Sequence, residues 1–219
     1  MTRFGTVGML SVIALAVTSA LAPLPALAGA QVEEHLAQSV VVGLQAAIAD
    51  RPVPVDYAAQ PAARAWIDDV STRLVPRMSD YRQREDFLAT VHYEATRAGL
   101  DPQLVLGVIH HESGFRKYAI SIASARGYMQ VMPFWTRVIG SNDHNLFNLR
   151  TNLRYGCVIL RHYLDVERGD LYRALGRYNG SLGRPEYPNA VIAAMARWQP
   201  AAVPPSTPPA IRAALPATR

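Results

Sequence analysis

Glu112 closes an apolar helical pattern in the run His111-Glu112-Ser113-Gly114-Phe115, and fifteen residues later comes Gly127-Tyr128-Met129-Gln130-Val131-Met132-Pro133. One carboxylic acid at the floor of a cleft, followed by a Gly-led loop bearing Gln and Met, is what a glycan-cleaving enzyme with a single catalytic acid needs. Leu104, Val108 and Glu112 recur at a spacing of four, so the carboxylate shares a helix face with aliphatic side chains expected in the core. Gly114 reads as the helix stop, which places Glu112 in the last turn, at the negative end of the helix dipole. Apolar surroundings and the dipole both disfavour the ionised form and raise the pKa, as a general acid working near neutral pH requires. An ordinary exposed glutamate in a fraying last turn is the plainer reading of the same position.

Other chemistries fit less well. His110-His111-Glu112 has the look of a zinc-protease helix, but that motif is His-Glu-x-x-His, with both imidazoles on one face, and position 115 is Phe. No metal and no cofactor are expected. Gly-x-Ser-x-Gly is missing, so Ser113 reads as a helix-end or cleft hydrogen-bonding group rather than a nucleophile. Cys157 falls within an apolar helical pattern and reads as a buried, inert thiol.

The elements that would position Glu112 are helical. Asp101-Pro102 is a start signal, with Asp as N-cap and Pro in the first turn, for a helix through Leu104, Val105, Val108 and Ile109. Before it, Trp66, Ile67, Val70 and Leu74 mark one amphipathic helix ending by Pro76, and Phe87, Leu88, Val91 and Ala95 mark another that stops at Gly99. After it, Leu149, Leu153, Cys157, Leu160 and Leu164 share a face. A short helix is expected around Leu171 to Leu175, and a last one near Val191, Ile192 and Met195. No strand alternation or internal repeat stands out, so the fold class is mainly α.

Residues 1–28 hold one early cation, Arg3, an apolar stretch and the ending Ala26-Leu27-Ala28, the pattern of a cleaved secretory signal. Its removal leaves 191 residues with a formal charge of +4. That length suits one domain with a sizeable core. A helix with its linker is expected over 29–61: Leu36, Val40, Val41, Leu44 and Ile48 keep helical spacing, and Pro52, Pro54 and Pro61 follow. The main domain is placed at 62–198, and a Pro-rich tail with no acidic residue, expected to be disordered, at 199–219. A single cysteine cannot form an internal disulfide, so a soluble exported protein must rely on its core. Lys117 is the only lysine among 22 cations, and the arginines are scattered without a dense run, which gives nucleic-acid binding little support. The mild positive balance suits an anionic polymer, although composition bias explains it as well.

Several pieces together resemble the lytic transglycosylases of the bacterial cell wall, which share the goose-type lysozyme fold. They are Glu112-Ser113 followed by Phe115; Ala119-x-Ser121; Ala125-x-Gly127-Tyr128-Met129-Gln130-Val131-Met132-Pro133; Asn152-Leu153-x-x-Gly156-x-x-x-Leu160; and Tyr178-Asn179-Gly180, in register over roughly 101–191. The resemblance implies a periplasmic enzyme acting on peptidoglycan glycan strands. Glu112 would protonate the glycosidic oxygen and then serve as base on the C6 hydroxyl of the same muramic residue, leaving a 1,6-anhydro sugar. Ordinary glycosidases add a second carboxylate, and none lies within the matched motifs; Asp143 is the nearest downstream and has no motif support. The resemblance further implies a cleft built from Ser121, Gly127, Tyr128, Met129, Gln130, Met132, Tyr178 and Asn179. Ser124, Asn148-Leu149 and Ile159 depart from the family's usual glycine, Asp-Pro and tyrosine, with Tyr155 or Tyr163 as substitutes for the last. A hydrolytic muramidase and a non-catalytic wall-binding or assembly module are the alternative readings. A monomer is expected, and the N-terminal helix and the tail are where a wall or secretion-machinery partner would be sought.

Overall fold

The computed structural model describes residues 31–199, so the signal-like segment 1–28 and nearly all of the tail 199–219 lie outside the described residues. Eight helices follow in order: α1 Gln38–Ala49, α2 Pro61–Leu74, α3 Tyr81–Arg97, α4 Pro102–Glu112, α5 Phe134–Ile139, α6 Leu149–Val166, α7 Leu171–Asn179 and α8 Glu186–Ala196. Among the described residues there are no strands, only two isolated bridges that join Ile120 to Arg126 and Arg126 to Val131.

Local chemistry accounts for the boundaries. Asp80, Asp101, Asn148 and Asp170 each cap a helix by accepting a backbone N–H, from Gln83, Gln103, Thr151 and Arg173 respectively. Gly99, Gly114 and Gly180 sit just past helix ends with φ of +66°, +57° and +71°, the left-handed turn that lets the chain leave a helix. The structure differs from the sequence expectation in three places. The first helix begins at Gln38, leaving out Leu36 of the expected spacing, α5 was not anticipated, and α7 runs to Asn179 instead of stopping near Leu175.

Val105, Val108, Ile109, Met129, Leu153, Ile159, Leu160, Leu175 and Val191 are fully or almost fully buried in one continuous core. Removing such apolar surface from water is the main force behind the assembly. Glu94 is also inside, 1% exposed, and receives Arg154 at 3.1 Å and Arg150 and Arg97 at 3.3 Å, which ties α3 to α6. Arg154 also donates to the carbonyl oxygen of Asp50, just past α1, and α1 itself packs on α5 and α6. Cys157 lies buried in α6, where desolvation pushes its thiol pKa up and keeps it inert.

The closest helix pairing sets up the site. At Gly107 in α4 an added Cβ would lie 2.9 Å from both the Met195 nitrogen and the Val191 oxygen, so glycine lets the α8 backbone approach directly. The two helices run antiparallel, with Gly107 opposite Val191 and Met195, and Glu112 opposite Tyr187.

Candidate active site

A cleft of about 900 Å³ opens over the end of α4. Glu112 lies at its floor, with His111 beside it, Ile120 to Ala123 and Gln130 on one wall, and Asn179, Ser181, Arg184, Glu186 and Tyr187 on the other. The glutamate side chain is partly accessible from the cleft, yet its carboxyl is surrounded by protein. Burial pushes its pKa from 4.5 up to about 7, while hydrogen bonds from Tyr187 and Asn179 pull the other way. Tyr187 Oη donates to Glu112 Oε1 at 2.6 Å. Burial and the neighbouring Glu112 raise the phenol's own pKa well above 10, so Tyr187 remains a donor.

The Gly-led loop divides into a part that faces the cleft and a part that holds it in place. Of the expected residues, Glu112, Ser121, Gln130 and Asn179 line the cleft. Gly127, Tyr128, Met129, Met132 and Tyr178 are not among the lining residues, and each has a structural role instead. Gly127 has φ +76°, and a Cβ there would lie 2.4 Å from the Asn152 amide and 2.6 Å from the Leu146 carbonyl. Tyr128 is 3% exposed and packs on Phe87. The side chain of Met129 presses on Gly156, its N–H donates to Asn152 Oδ1 at 2.8 Å, and its carbonyl accepts from Tyr178 Oη at 2.8 Å. Met132 packs against the core, and its N–H donates to Gln31 Oε1.

Gln130 is the turning point of the loop. At φ +49° its side chain is 6% exposed, and its Nε2 donates to the carbonyls of Ala119 at 3.1 Å and Gly127 at 2.9 Å. Ser121 Oγ accepts the Ala125 N–H, which closes the intervening turn. Ser124 adopts φ +69°, the backbone region that glycine occupies most easily. Asn152 binds three backbone groups at 2.8 Å: the Met129 N–H and the carbonyls of Arg126 and Leu146. Tyr155 and Tyr163 are both buried, the former with its Oη 2.7 Å from His144 Nδ1, so neither takes a cleft position in place of Ile159, which is itself in the core.

The histidines separate. His110 accepts Trp198 Nε1 at 3.2 Å on the protein side of α4, whereas His111 borders the cleft and meets the Tyr187 ring edge-on at 4.9 Å. Desolvation lowers the pKa of both. Ser113 is a helix-end group, donating from Oγ to the Ile109 carbonyl.

Two residues of consequence were not singled out from sequence. Tyr187 follows a proline-broken stretch, and its signal was the four-residue step to Val191, which puts both on the side of α8 facing α4. Glu186 borders the same cleft and is exposed, so a second carboxylate is present there after all, outside the motifs considered.

A mainly helical, lysozyme-like domain with one buried acid beneath an open cleft is the class of protein defined by fold and site. Residues 89–191 match the Transglycosylase SLT domain. Over that stretch, just under half of its length, the chain is similar to lytic transglycosylases. Among its curated relatives is a membrane-bound lytic murein transglycosylase C from Mannheimia succiniciproducens, 41% identical over 64 residues that cover 29% of this chain and 18% of that protein. Proteins of the same name from Actinobacillus pleuropneumoniae serotype 5b and Haemophilus influenzae are also 41% identical over 64 residues, covering 29% of this chain and 17% and 18% of theirs. The match therefore spans less than a fifth of the length of these relatives. Among the described residues, no helix is long and apolar enough to cross a membrane.

Proposed function

We propose that the protein cleaves peptidoglycan by lytic transglycosylation in the periplasm, at the β-1,4 bond between N-acetylmuramic acid and N-acetylglucosamine. The observation that carries the reading is the carboxyl of Glu112, raised to about 7 by burial and held by Tyr187 at the floor of a glycan-sized cleft. An acid with that pKa retains a large protonated fraction at neutral pH and can donate to the glycosidic oxygen. Tyr187 donates to Oε1 and so orients the carboxyl that transfers the proton. Once ionised, the same carboxylate is the base that takes the C6 hydroxyl proton, and that oxygen attacks C1 to form the 1,6-anhydro ring. The acetamido group of the sugar supports the positive charge developing at C1. No water is consumed.

A hydrolytic muramidase is the second reading, and exposed Glu186 bordering the same cleft is the observation that favours it, because a carboxylate there is a candidate base for water. The first experiment follows the clearing of purified peptidoglycan by wild type, Glu112→Gln and Glu186→Gln. Transglycosylation requires loss of activity in Glu112→Gln alone. Equal loss in both variants favours hydrolysis, and no clearing by wild type favours a binding module.

A further inference from the structure

Just beyond Glu112, the turn leaving α4 carries Arg116, Lys117 and Tyr118 into a second hollow of about 390 Å³. Ile120 is a wall of this hollow and of the main cleft alike, so the two adjoin. Tyr118 is 70% exposed, and its ring lies 5.8 Å from that of Phe147. Lys117 Nζ sits 5.3 Å from the Tyr118 ring, and the Arg126 guanidinium 6.0 Å from Phe147, which gives two neighbouring aromatic faces with a cation on each.

These cations differ from the arginines of three of the helices. The arginines of α2, α6 and α7 close salt bridges with acids, as in Arg64 with Glu85, Arg154 with Glu94 and Arg177 with Glu34. Among the described residues, Arg116, Lys117 and Arg126 make no salt bridge. Arg116 uses its Nε to hold the Ser113 carbonyl at 2.9 Å, and its two terminal amino groups have no hydrogen-bond partner there. The hollow is also anchored to the cleft loop, because the Ala119 carbonyl accepts both Gln130 Nε2 at 3.1 Å and the Gly127 N–H at 2.9 Å.

We propose that this hollow is a subsite for the free carboxylates of a peptide branch carried by the glycan in the main cleft. The inference rests on reading that cleft as a glycan site. A peptide-bearing sugar backbone is rich in hydroxyls and amides and poor in charge, so two uncompensated cations in the hollow, with Arg126 at the neighbouring Phe147 ring, fit an acidic substituent better than another ring. Guanidinium and ammonium groups donate well to carboxylates, and the exposed rings offer a flat surface for the aliphatic and peptide parts of the branch. A branch leaving the glycan over Ile120 enters the hollow directly.

The test measures binding to the full chain carrying Glu112→Gln, so that no turnover intervenes. The ligands are soluble glycan strands with their peptides, and the same strands stripped by an amidase, which leaves one lactyl carboxylate on each muramic residue against the several carboxylates of a peptide branch. The subsite predicts that peptide-bearing strands bind roughly 5- to 10-fold more tightly, the scale of two partly exposed ion pairs, and that added Arg116→Ala/Lys117→Ala removes the difference. Lys117→Glu alone is the second variant, because Arg116 also braces the turn; it too should abolish the preference. Equal binding of the two ligands, or a preference that survives Lys117→Glu, overturns the subsite and leaves the glycan reading intact. Binding of neither ligand removes the glycan reading and the subsite with it.

Discussion

Tyr187 Oη reaches Glu112 Oε1 at 2.6 Å from a helix that begins 74 residues further along the chain. The bond orients the acid and stabilises its ionised form, so it acts on both the rate and the pH profile. In Tyr187→Phe the carboxyl loses that support, and its pKa rises further above 7. We expect kcat on peptidoglycan to fall about 10- to 100-fold while the alkaline limb of the pH–rate profile moves to higher pH. A profile that keeps its midpoint would show that Tyr187 acts on packing alone.

The elevated pKa of Glu112 also affects stability. The group titrates near 4.5 when unfolded and near 7 in place, so the folded state binds more protons between these values. Stability from this group is present in full below about pH 4.5 and is lost as pH rises through 7; above 7 the penalty is at most roughly 3 kcal/mol. Glu112→Gln, which has no charge to bury, should therefore have a higher Tm than wild type near pH 8 and nearly the same Tm near pH 4. Calorimetry at the two values checks this, and a pH-independent difference would contradict the burial.

Gly107 places Tyr187 by letting α8 lie directly on α4. Alanine is the better helix former, but its Cβ would meet backbone atoms at 2.9 Å, and backbone cannot rotate away as a side chain can. Gly107→Ala should lower stability by about 2 kcal/mol and reduce kcat by loosening the Tyr187–Glu112 bond. Thermal unfolding and activity measured on the same sample give both effects, and an unchanged kcat would separate helix spacing from catalysis.

Asn152 holds the cleft loop from below. Asn152→Leu would leave the Met129 N–H and the Leu146 carbonyl without their partner in the interior, and the Arg126 carbonyl with the Val131 N–H alone, at a cost of about 3 kcal/mol. Hydrogen exchange should accelerate first at Met129 and its neighbours. Protection retained there would mean the loop is held by other contacts.

Much of this arrangement was legible in the residue pattern because local rules govern it. Asp101-Pro102 starts α4, Gly114 ends it, and the four-residue step from Leu104 through Val108 brings Glu112 to an inward face. The loop residues were harder to place. Gly127, Tyr128, Met129 and Gln130 are adjacent in sequence, yet only Gln130 faces the cleft, because the tight positive-φ turns at 127 and 130 direct successive side chains to different sides. Tyr178 and Asn179 separate similarly at the end of α7, one into the core and one into the cleft. Tyr187 and Glu186 escaped notice because their importance depends on the α4–α8 pairing, and a long-range contact made possible by one glycine has no local signature.

In the proposed reaction one buried acid performs both proton transfers without water. Digesting peptidoglycan with the wild-type protein in water enriched in oxygen-18, and weighing the released muropeptides, tests it most directly. Transglycosylation gives products one water lighter than hydrolytic ones, carrying no heavy oxygen and absent with Glu112→Gln. Products with a reducing end that has taken up the heavy oxygen, formed by wild type and lost in Glu186→Gln, would contradict it and assign the cleft to hydrolysis.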